Sequence, residues 1–180
     1  SKNEQKTLKQ LSDLLRKNAV KRKILHNLIV NEILSRANDI KVEKIQYASL
    51  AKKSKETKQN TKGKYLSKKR FGKAISSGAP SQFITILEHK TKNWEDCNFT
   101  NVKPQYACTQ FDHTNGEYTK HKLNERIVKL SDGNKVHRDY HAGFNIMFCN
   151  TNENVKTENS FDVSQMKTWY EEHKASIIIK

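Results

Sequence analysis

Long apolar runs are what this sequence most lacks, and no segment reads as a membrane-spanning or lipid-facing helix. Acidic residues are scarce as well: 19 Asp and Glu stand against 34 Lys and Arg, a formal charge of +15. An excess of that size points to an anionic partner, nucleic acid before membrane, or at the least to a solvated basic surface. Hydrophobic residues make up only 34% of the chain, and the mean hydropathy of −0.90 is low for a self-sufficient core. The three cysteines, Cys97, Cys108 and Cys149, are odd in number and widely spaced. That pattern argues against a disulfide framework and for a reducing compartment such as the cytoplasm. No signal-peptide pattern is visible, because the N-terminus is polar and charged from Ser1 onward. The 180 residues suit one ordinary domain or part of a larger one, and the missing initial methionine favours the second.

Residues from about Glu4 to Arg36 contain no Gly or Pro and read as one long helix. Leu8, Leu11, Leu15, Leu25, Leu28, Ile29, Ile33 and Leu34 recur at three- and four-residue steps, which predicts a packing surface. The cluster Arg16, Lys17, Lys21, Arg22 and Lys23 lines either a nucleic-acid channel or a plain solvated face. "DIKVEKIQY" then alternates Ile40, Val42 and Ile45 with polar residues, and predicts a short strand with Glu43 near its end. Residues 51–73 carry ten Lys or Arg against one acid, Glu56, and read as a basic loop that binds phosphate backbone without sequence preference.

Pro80 suits the first turn of a second helix, with Phe83, Ile84 and Leu87 on its buried face. "CNFTNVKPQYACTQ" predicts strand, interrupted by Pro104. The turn signals Asn115-Gly116 and Asp132-Gly133 mark a small polar insertion ending in a hairpin. A further helix is expected from about Asp139 through Phe144, Ile146, Met147 and Phe148. After it the chain reads as polar linker to Ser160, with a weak helix around Met166 to His173.

Two acids stand out by context. Glu43 lies in an apolar strand, where a solvated residue has no need to be a carboxylate. Asp139, in "VHRDYHAGFNI", opens a helix, and alone it reads first as an ordinary N-cap or first-turn acid. Carboxylates from separate elements can also converge on divalent metal ions, as phosphodiester hydrolysis needs, and hard Mg²⁺ prefers their oxygens to sulfur.

The segments "DIKVEKIQYASLAKK", "KRFGKAISSGAPSQFITILEHKTK", "YACTQFDHTNGEYTKHKLNER" and "DGNKVHRDYHAGFNI" together resemble the C-terminal half of the TnpB-type proteins. These are transposon-encoded RNA-guided DNA nucleases related to the type V CRISPR effectors. The resemblance spans roughly Asp39 to Met147, and its closing motif is the most specific part. It implies an α/β protein with part of an RNase H-like, RuvC-like fold over residues 1–149, followed by linker and tail over 150–180. It also implies a three-carboxylate Mg²⁺ or Mn²⁺ site, in which Glu43 of "VEKI" matches the second acid and Asp139 the third. Arg138 then either contacts phosphate, orients the acid or forms a structural salt bridge. The implied partners are target DNA, a guide RNA, and an N-terminal remainder or complementary chain; the implied location is the bacterial or phage-associated cytoplasm, at the nucleoid.

Two departures from the family pattern bear on that reading. The family's first aspartate lies on a strand before the long helix, and here only Asp13, inside the helical pattern, stands in that direction. Many relatives also carry two Cys-x-x-Cys pairs that bind zinc, and this sequence has neither. Cys108, His113 and His121 do not restore the spacing, so the insertion over 109–136 reads as zinc-free. Its Thr109, Gln110, Lys120, Lys122 and Arg126, together with Lys68, Lys69, Arg70 and Lys73 of the basic loop, are the expected nucleic-acid contacts. His137 and His141 read as flanking polar residues, while Trp94, Tyr106 and Phe71 are either base-stacking or packing aromatics. Two rivals remain open: a nuclease-dead, guide-directed DNA-binding protein, and a basic nucleic-acid-binding domain with no guide.

Overall fold

A computed structural model describes residues 1–52, 56, 58–65, 71–122, 124–150 and 160–179. The architecture is mixed α/β. Its contacts divide the chain into two units, Ser1–Ile40 with Gln46–Phe99, and Lys41–Ile45 with Thr100–Lys180.

The first unit is built on α1 (Lys2–Leu34), with α2 (Tyr47–Ala51), α3 (Gly72–Gly78) and α4 (Pro80–Lys92). An uninterrupted run of good helix formers and a Ser1–Glu4 capping box account for the length of α1. Packing is confined to its C-terminal part, where His26, Val30 and Leu34 are buried and His26 meets the Phe83 ring edge-on at 5.5 Å. Lys90 of α4 donates to Asn31 Oδ1 at 2.6 Å along the same seam. The expected apolar stripe is therefore only partly used: Leu8, Leu11, Leu15, Leu25, Leu28 and Ile29 are exposed. The reason is length. A helix of 33 residues spans about 50 Å and α4, with 13, about 20 Å, so α4 cannot cover α1. On α4 itself Leu87 and Thr91 are fully buried, whereas Phe83 and Ile84 are half-buried.

Helices α3 and α4 are separated by Ala79, which adopts the left-handed conformation (φ 44°) and donates its N–H to Ile75 O. Pro80 then starts α4 at a position where its missing N–H costs nothing. The basic stretch expected to be loop is bounded by α2 and α3, and Lys68, Lys69 and Arg70 lie outside the described residues.

Strands β1 (Asp39–Glu43) and β2 (Asn98–Val102) form a two-stranded sheet, and the division between units falls within both. The alternation expected of β1 ends with the strand. Ile40 is buried and Val42 half-buried, but Ile45 lies beyond the last strand residue and is exposed.

The second unit continues through a 3-10 turn (Pro104–Tyr106) into two antiparallel hairpins. These are β3 (Phe111–Asp112) with β4 (Glu117–Tyr118), and β5 (Ile127–Lys129) with β6 (Lys135–His137). Gly116 (φ 77°) and Gly133 (φ 89°) supply the positive φ that the two turns require, so both turn signals form as read. Helix α5 (Arg138–Met147) follows directly, and α6 (Val163–Ile177) closes the chain. The weak C-terminal helix expected from sequence is a full 15-residue element, capped by Asp162, which accepts from Gln165 N. Far from being a tail, it places Met166 and Tyr170 in the core with Tyr106, Phe111, Val128, Val136, Phe144 and Phe161. Phe161 stacks on Phe111 at 4.2 Å, and the Tyr106 hydroxyl donates to Asn150 O at 3.0 Å. Tyr106 is thus a core residue, while Trp94 and Phe71 are half-exposed.

Candidate functional site

Glu43 ends β1 and is half-buried, and burial pushes its carboxyl above the ordinary glutamate range. No hydrogen-bond or ion-pair partner compensates it among the described residues. Two residues earlier on the same face of the strand, Lys41 donates to Met147 O at 3.0 Å and Cys149 O at 3.1 Å. It thereby satisfies carbonyls at the C-terminal end of α5, where a cation is favoured. Cys108 and Cys149 hydrogen-bond to one another. That bond, burial and the nearby Glu43 charge all push the Cys108 thiol up.

Asp139 sits in the first turn of α5, where the helix dipole favours an acid, and its N–H donates to His137 Nδ1 at 3.3 Å. It is half-exposed. Arg126 donates to its Oδ2 at 3.1 Å, and Arg138 Nε approaches Oδ1 at 3.5 Å. Arg126, expected as a nucleic-acid contact, is thus gathered to the acid, and Arg138 is turned inward. A further Arg138 bond runs to Lys122 O at 3.3 Å. Of the other expected contacts, Lys73, Lys120 and Lys122 are exposed, while Thr109 and Gln110 are half-buried.

Both acids offer the hard oxygen donors that Mg²⁺ takes. Glu43 is half-buried with no protein hydrogen bond or ion pair among the described residues, whereas Asp139 Oδ2 accepts from Arg126 and Oδ1 lies 3.5 Å from Arg138 Nε. Among the described residues, no group of three or more His, Cys, Asp or Glu side chains is placed to hold a metal ion. Asp13 pairs instead with Arg16 at 3.6 Å on the surface of α1.

The insertion is organised around Asp112. Its Oδ1 accepts from Thr114 N (2.9 Å) and Oγ1 (2.6 Å), and its Oδ2 from Ser131 N (2.8 Å) and Oγ (2.9 Å). One carboxylate therefore ties the turn of one hairpin to the turn of the other. Burial alone would raise the Asp112 carboxyl, but these four bonds outweigh it and hold it below the ordinary aspartate range. The signal was in the sequence: Asp-x-Thr before Asn-Gly is a side-chain-stabilised turn.

His141 is not a flanking polar residue. It is buried, and its Nε2 lies 3.0 Å from Nδ1 of the equally buried His113. Only one ring can donate in that bond, so the accepting imidazole must be neutral. Their 28-residue separation hid them from the sequence reading. Burial drives His141 down to about 4, assisted by His113, and burial also lowers His113. Between pH 6.5 and about 4 the unfolded chain then binds more protons than the folded one, so stability is full above 6.5 and falls with pH through that window. At one pKa unit per 1.36 kcal/mol, His141 alone accounts for about 3 kcal/mol. Urea midpoints measured at pH 7 and pH 4.5 should differ accordingly, and His141→Gln should flatten the difference.

No protein-family model matches this chain, and no curated protein matches it. No helix among the described residues is long and apolar enough to cross a membrane.

Proposed function

We propose that this chain is the RuvC-like portion of a TnpB-type, RNA-guided DNA endonuclease, with an RNase H-like fold that these residues complete only in part. The observation that carries the reading is Glu43. A half-buried carboxylate with no protein partner among the described residues, at the end of the strand bearing "VEKI", leaves its oxygens available to a cation. The resemblance of the motifs around it, the +15 charge and the placement of Asp139 at the start of α5 support the same conclusion.

In this reading Glu43 and Asp139 hold Mg²⁺ or Mn²⁺, with a further carboxylate supplied by a segment outside these 180 residues or by a complementary chain. Bound there, the metal supplies activation of water and neutralisation of the leaving oxygen for phosphodiester hydrolysis. Arg126 and Arg138 orient the Asp139 carboxylate. Sequence is read by pairing between guide RNA and target, and the protein's basic surface holds the backbone. The two turns of the insertion are joined by Asp112.

One observation favours a second reading, a nuclease-dead but guide-directed DNA-binding protein: Asp139 has two arginines where an active ligand needs a free oxygen. Both readings require a guide, and a plain basic domain does not. RNA extracted from the purified full-length protein should therefore be one discrete species of fixed sequence. A heterogeneous mixture reflecting cellular RNA abundance would remove both guided readings.

A further inference from the structure

Away from Glu43 and Asp139, the first unit holds a groove of about 740 Å³ between α1 and the end of α3. Leu15 and Leu25 form its apolar wall, while Lys21, Arg22, Ser76 and Ser77 bring polar groups to it. Among the described residues, no carboxylate lines it. Arg22 donates to Ser77 O at 2.9 Å and Ser76 O at 3.4 Å, which fixes its guanidinium against the α3 end of the groove. Of the buried polar atoms without a partner among the described residues, two belong to residues of this groove, Arg22 Nε and His26 Nδ1. Both residues line the groove, and His26 is more than nine-tenths buried. Buried polar atoms of this kind are rarely left unmatched. Here they coincide with two cationic side chains and, among the described residues, no acid.

We infer that this groove is a phosphate-binding site for the backbone of a single nucleic-acid strand. Charge complementarity selects the ligand: Lys21 and Arg22 supply the positive field, and the unmatched polar atoms of Arg22 and His26 belong to residues that line the same groove. The apolar wall accommodates the sugar or base face of the adjoining nucleotide. The inference rests on the nucleic-acid part of the reading above and adds to it a defined binding site remote in sequence from both acids.

The test is fluorescence anisotropy of the full-length protein with a labelled single-stranded oligonucleotide across a salt series. Lys21→Glu changes an exposed side chain that makes no hydrogen bond or ion pair among the described residues, and Lys6→Glu, near the start of the same helix and outside the groove, matches its charge. Lys21→Glu should weaken binding about tenfold more than Lys6→Glu and make the salt slope shallower by about 0.7, the loss of one single-strand phosphate contact. In the wild type, the His26 imidazole resonances should shift on adding the oligonucleotide. Equal effects of the two variants with an unmoved His26 would overturn the groove while leaving the nuclease reading standing. Groove-dependent binding without guided cleavage would do the reverse. A wild-type protein that binds no strand would end both.

Discussion

Asp139→Ala and Glu43→Gln should each abolish metal-dependent DNA cleavage by the full-length protein while leaving guide RNA bound. The two substitutions remove one oxygen donor or one charge without touching the core: Asp139 is half-exposed, and Glu43 makes no bond that holds the fold. Groups that merely orient a metal ligand are commonly worth about 10–100-fold, so losing a ligand should cost more than about 100-fold in cleavage rate. Asp139→Ala also frees Arg126 and Arg138, which adds positive charge and should not weaken nucleic-acid binding. Cleavage at the wild-type rate by either variant would remove that residue from the chemistry. Arg126→Ala separates the two guided readings further. An active site in which Arg126 only restrains Asp139 should keep cleaving, since Arg138 remains to orient the acid.

The second large effect concerns the last 20 residues. A chain ending at Ser160 should lose the native second unit, because α6 buries Met166 completely and Tyr170 nearly so. The Tyr170 ring also meets His113 at 4.4 Å, and its hydroxyl lies 3.3 Å from Asp132 Oδ2 and Asn134 Nδ2. Losing one such buried side chain costs about 2–5 kcal/mol, and domains of this size are stable by only about 5–15 kcal/mol. Removing the whole helix also uncovers His113 and Phe144, whose ring lies 5.4 Å from that of Trp169. Hydrogen exchange at the Val128 and Val136 amides, paired across the second hairpin, is the readout. Protection at wild-type levels in the shortened chain would show that α6 is dispensable.

The local elements were legible because each carries its own signal. A Gly- and Pro-free run gave α1, alternation gave β1, Pro80 gave the start of α4, and two Gly turns gave the hairpins. What stayed hidden depends on partners distant in the chain. Nothing in "VSQMKTWYEEHK" announces that Met166 and Tyr170 complete a core whose other members begin at Val102. The leucines of α1 gave the opposite error: their spacing promised burial, but α4 covers only part of the helix. At the candidate site the two acids could be singled out from context and resemblance. Their environments could not: Glu43 is uncompensated, whereas Asp139 is gripped by Arg126, thirteen residues earlier, and by its own neighbour. The pairing of His113 with His141 and of Cys108 with Cys149 belongs to the same long-range class.

The central claim is guided, metal-dependent hydrolysis, and one experiment meets it directly. The full-length protein, carrying its co-purified RNA, is incubated with a duplex matching the guide and with a scrambled duplex, in Mg²⁺ and in EDTA. Cutting of the matched duplex alone, and only with Mg²⁺, is the predicted result. Binding of the matched duplex without cutting, in Mg²⁺ as in EDTA, would contradict it and leave a guide-directed DNA-binding protein.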